Sequence, residues 1–155
     1  MKLGLRILFG LIFLIFAIIQ LIRPSFTNPQ TDASLKLENQ ISVPSEVNSI
    51  LERSCKDCHS NETVYPWYSN IQPVGWYLAN HVEEGRHELN FSEWGTYSQK
   101  KRKHKLEEIC EQVKIGEMPL RSYLLIHREA VLSEEDKRIL CDWTDNEISK
   151  LPSEE

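Results

Sequence analysis

Helix breakers are scarce in this chain: it has 6 glycines and 7 prolines among 155 residues, and no internal repeat. No stretch alternates apolar and polar residues over the length of a strand, which argues against a sheet and leaves an all-α fold. Only one C-x-x-C pair exists among the four cysteines. Cys110 and Cys141 stand apart, so a four-ligand zinc site lacks its second half. A thioredoxin-like dithiol would need strands around the pair, and these are missing too. No catalytic acid–base pair stands out near Met118-Pro119. Positive charge is short as well. Lys2, Arg6 and Arg23 account for three of the 18 Lys and Arg, so the chain from Pro24 onward carries 15 against all 23 Asp and Glu, a net of −8. A soluble part this acidic does not suit nucleic acid.

What the chain has in abundance comes first. Residues 7–22 (ILFGLIFLIFAIIQLI) are apolar except for Gly10 and Gln20, and counted from Leu3 they approach the roughly 20 residues that cross a bilayer. The run ends in Gln20-Leu21-Ile22-Arg23-Pro24-Ser25, with bulky residues where a signal peptidase needs small ones and no cysteine for lipidation. This favours an uncleaved anchor over a cleaved signal. Lys2 and Arg6 outweigh Arg23, which predicts a cytoplasmic N-terminus and a domain outside the cytoplasm. Three regions follow: a signal-anchor or transmembrane helix over 1–23, a polar tether over 24–41, and one helical domain over 42–150.

Within that domain, Pro44 suits the start of a helix whose Val47, Ile50 and Leu51 share one face. It leads into Cys55-Lys56-Asp57-Cys58-His59. C-x-x-C-H is the attachment signature of a c-type haem: two thiols form thioethers with the porphyrin, and the adjacent imidazole reaches the iron as proximal ligand. The next stretch, 61–76, is broken by Pro66 and Pro73 and rich in aromatics, including Tyr65, Trp67, Tyr68 and Trp76. These rings suit the edge of a flat apolar ligand or a plain core cluster. Residues 74–86 read as a helix that Gly85 ends, and Ser92 as a cap. The basic run 100–105 reads as a solvated helix face or a docking patch for an acidic redox partner. Leu106, Ile109, Cys110 and Val113 form a helical stripe that stops at Gly116, and Ser133 with Asp136 opens a last helix bearing Leu140 and Trp143.

Met118-Pro119 sits in a loop well downstream of the haem motif, where a stiff segment can hold a thioether over the distal face. His81 is the alternative distal ligand, one that would lower the reduction potential relative to a thioether. Arg86 and Trp67 are candidates for the haem propionates through charge and hydrogen-bonding capacity. Cys110 and Cys141 lie on apolar helix faces, and either a disulfide or two buried thiols would fit.

A short helix into C-x-x-C-H, a Met-Pro loop and a terminal helix opened by Leu132-Ser133 resemble a small class I cytochrome c. Cys58-His-Ser-Asn-Glu-Thr63, Tyr65-Pro-Trp-Tyr68, His81-Val-Glu-Glu-Gly-Arg86, Leu89-Asn-Phe-Ser92 and Glu117-Met-Pro119 more closely resemble the bacterial haem-binding domain family, over about residues 43–143. That resemblance implies one covalent haem c per chain, held by Cys55 and Cys58 with His59 as proximal ligand, in a cytochrome c-like helical domain. The expected role is one-electron transfer with redox partner proteins at the outer face of the cytoplasmic membrane, a carrier rather than a catalyst. The competing role is a haem-based sensor or small peroxidase-like enzyme with a displaceable distal ligand.

Overall fold

A computed structural model describes residues 2–152, and among the described residues there is no strand. Helix α1 (Lys2–Ile19) packs none of its side chains into the protein and is long and apolar enough to cross a membrane; a signal sequence would share that composition. Its 18 residues rise about 27 Å, close to the roughly 30 Å of a hydrocarbon core.

The stretch predicted as a polar tether is not loose. Phe26 packs on Tyr65 with ring centroids 4.9 Å apart, and the Asn28 amide donates to the Thr63 carbonyl at 3.0 Å. Asp32 caps a 3-10 turn over Ala33–Leu35, which runs into the single turn α2 (Leu37–Gln40). Leu37 is fully buried and joins the core beside the 3-10 helix Phe91–Thr96. One leucine in a polar run shows no periodicity, so its burial left no mark in the sequence.

The predicted helices of the domain form. In α3 (Ser45–Ser54) Val47, Ile50 and Leu51 are buried, and after Cys55 the chain makes one further turn, α4 (Lys56–His59). Helix α5 (Val74–Glu88) runs through Gly85 rather than ending there, and the residue that caps the next turn is Asn90, not Ser92: its side chain accepts the Ser92 amide at 3.0 Å. Helix α6 (Gln99–Ile115) buries Leu106, Ile109, Cys110 and Val113 and closes on Gly116 at φ 75°, a left-handed conformation that glycine adopts without strain. Lys105 leaves the solvated face, buried against Glu108 at 2.6 Å. After the short α7 (Arg121–Leu124), α8 (Glu134–Ser149) lies on α6, and Cys110 and Cys141 are joined across them in a disulfide.

A full capping box starts α8. The Asp136 amide donates to Ser133 Oγ at 3.1 Å, and the Ser133 amide donates to Asp136 Oδ2 at 2.8 Å. Ser133→Ala should therefore lower stability by about 1 kcal/mol. Urea denaturation checks this, with a lower midpoint at an unchanged slope.

Candidate functional site

Lys56, the first variable residue of C-x-x-C-H, pins the motif. Its ammonium bonds to Glu38 of α2, to Glu52 at 2.7 Å and to Asn48 at 3.2 Å on α3. Burial works against this charge, but the two carboxylates hold the Lys56 pKa above its usual value. The second variable residue, Asp57, accepts the Tyr123 hydroxyl at 2.8 Å and so ties the motif to α7. Burial, then Asp57, pushes the Tyr123 phenol upward, and it stays a donor.

α5 passes over the motif at close range. A Cβ on Gly85 would meet the Cys58 carbonyl oxygen at 2.8 Å and its carbon at 3.2 Å, so only glycine allows this approach. The approach brings the end of α5 to His59, whose Nδ1 lies 2.8 Å from the Gly85 carbonyl and 3.1 Å from that of Leu89. Both partners are acceptors, so Nδ1 carries the proton and Nε2 keeps its lone pair. Burial also lowers the His59 pKa and keeps the ring neutral.

Two adjoining cavities of about 260 and 220 Å³ open beside this imidazole. Cys55, His59 and Met118 line both; Cys58 and His81 line the first. Phe91, Ile109 and Val113 wall the second with apolar surface. The structure thus brings together five of the seven site residues expected from the sequence. It sets the other two apart. Trp67 is 76 % exposed and lines neither cavity. Arg86 also lies outside them, its guanidinium donating to the Ser60 carbonyl at 2.7 Å, Thr63 Oγ1 at 2.8 Å and Asn28 Oδ1 at 2.6 Å, which braces the loop after the motif. Sequence reading passed over Tyr123 and Glu88 and placed Lys105 in a solvated or docking run, yet all three are on the crevice wall. Tyr123 is 66 residues from its partner Asp57, and no local spacing connects them.

Burial raises the Cys55 thiol to about 12 and, with Asp57 adding to it, the Cys58 thiol to about 11. A dithiol exchange site needs the opposite shift, toward the thiolate. Two thiols, an imidazole with a free Nε2 and a thioether around an apolar crevice fit a haem.

A family model described as a haem-binding domain matches residues 14–146. The chain belongs to the haem-binding domain family. The matched residues take in the C-terminal part of α1 and all of 24–41, so this haem-binding domain extends well before its C-x-x-C-H. Among curated proteins and solved structures, nothing matches the chain.

Proposed function

We propose that this haem-binding domain carries one haem c per chain, attached through Cys55 and Cys58 and ligated by His59 and Met118, in a cytochrome c-like domain. Its role is to pass single electrons between redox partner proteins at the outer face of the cytoplasmic membrane. The carrying observation is that Cys55, His59 and Met118 line both cavities of one crevice. Bound there, a haem would supply a one-electron ferric/ferrous couple. The chain's residues do the rest. The Gly85 and Leu89 carbonyls orient the His59 ring and raise the basicity of Nε2. The Met118 thioether favours the ferrous form, and Phe91, Ile109 and Val113 limit water around it. Lys2 and Arg6 hold the N-terminus of α1 in the cytoplasm, and the Cys110–Cys141 disulfide suits an oxidising compartment outside it.

His81 is the second reading for the distal ligand, because it lines the first cavity beside Met118. Its Nδ1 faces the Tyr77 carbonyl at 2.9 Å, which leaves Nε2 as the atom that could ligate. Met118 is preferred because it borders both cavities.

The test is the full chain, produced in a host that matures c-type haem, as wild type, Met118→Ala and His81→Ala. The wild type should keep its haem through acid–solvent extraction and give low-spin spectra in both oxidation states. Met118→Ala should turn high-spin, and His81→Ala should not. The reverse pattern would transfer the ligand role to His81. A high-spin wild type that binds carbon monoxide would favour the sensor or enzyme role, and a chain without haem would sink the proposal.

A further inference from the structure

The outer end of α1 does not simply lead into the domain; it is bonded to it. The Gln20 side chain makes a two-way clamp on the Gln72 backbone: Oε1 accepts the Gln72 amide at 2.9 Å, and Nε2 donates to the Gln72 carbonyl at 3.1 Å. Two residues on, the Ile22 carbonyl accepts the indole N–H of Trp76 at 2.8 Å. These bonds fix the start of α5 at the level where the apolar run of α1 gives out.

That same part of the domain exposes apolar surface where a soluble protein would carry charge. Ile71 is 39 %, Val74 43 % and Tyr77 51 % exposed, and residues 71–79 contain no charged side chain. Leu21 and Ile22, beside the clamp, are exposed as well. Tryptophan and tyrosine with apolar neighbours, at the end of a membrane-length helix, are the composition of a bilayer interface, where one end of the ring is apolar and the other wet. We infer that residues 71–77 are seated in the interfacial layer of the membrane that α1 crosses, with the lipid surface as their partner. The inference rests on α1 being a membrane span and adds a second, independent contact to it. His81, on the crevice wall, then lies only about 10 Å of helix rise beyond Val74.

The measurement is spin-label depth on the full-length holoprotein in phospholipid nanodiscs, with the haem oxidised and each collision rate taken relative to the same sample under nitrogen. Val74→Cys carries the label; Ile12→Cys in α1 and Lys114→Cys at the far end of α6 are references. Both Val74 and Lys114 are exposed, so neither substitution disturbs the core. Collision with oxygen is compared with collision with a water-soluble nickel chelate. The label at Val74 should show an oxygen-to-nickel ratio several-fold above that at Lys114 and below that at Ile12. A ratio at Val74 equal to that at Lys114, with Ile12 still buried in lipid, would overturn the inference and leave the span intact. An aqueous ratio at Ile12 would overturn the span and the inference together.

Discussion

Gly85→Ala will destabilise the domain by about 2 kcal/mol, although alanine is the better helix former. Alanine in mid-helix normally gains about 1 kcal/mol over glycine. Here its methyl group would stand 2.8 Å from the Cys58 carbonyl oxygen and 3.2 Å from both the carbonyl carbon and the Cβ of Cys58. All three atoms belong to the motif turn rather than to a flexible side-chain end, so α5 or α4 must move, and overpacking of this kind costs about 1–3 kcal/mol or more. The movement has a chemical readout besides stability. It pulls the Gly85 and Leu89 carbonyls from His59 Nδ1, and in the holoprotein proposed above weaker support of that imidazole should shift the reduction potential and broaden the low-spin spectrum. Thermal unfolding and a redox titration of the variant check the two effects. A variant more stable than wild type would show that α5 does not approach the motif this closely.

The largest loss should come from the disulfide. Cys110 and Cys141 are 31 residues apart, and a cross-link across a loop of that length is worth about 3–4 kcal/mol in the chain-entropy account. The paired Cys110→Ser, Cys141→Ser variant also puts two hydroxyls where buried sulfurs sat between α6 and α8, which adds to the cost. A domain of this size should lose about 10 °C or more in melting midpoint. The wild type treated with reductant should fall by a comparable amount, and the double variant should then be indifferent to reductant. A wild type whose midpoint ignores reductant would mean that the sulfurs are not joined.

Legibility in the sequence followed distance along the chain. Helix α3 could be read from Pro44 and the Val47, Ile50, Leu51 face. Helix α6 could be read from its apolar stripe and Gly116, and α8 from Ser133 and Asp136, because caps and helical periods are local patterns. Four of the five crevice residues were legible because C-x-x-C-H and Met-Pro carry chemistry in short motifs; His81 belongs to neither and was read only as the alternative distal ligand. Gly85 was misread as a helix end, since a glycine kept for a close approach looks the same in sequence as one kept for a turn. Arg86 and Trp67 were assigned to the haem by residue type alone. Arg86 finds its partners in Ser60, Thr63 and Asn28, up to 58 residues away. The pairing of Cys110 with Cys141 stayed open for the same reason: two apolar stripes do not say which way they face each other.

In the carrier role proposed above, the clamp between Gln20 and Gln72 would change what kind of search the domain performs. A carrier on a flexible leash sweeps a hemisphere whose radius grows with the square root of the leash length. With α1 in the bilayer, this domain stands instead on a pedestal and travels only sideways with its lipid. Encounter then becomes a problem in two dimensions, and the stature of a partner above the membrane decides whether two redox centres ever come level.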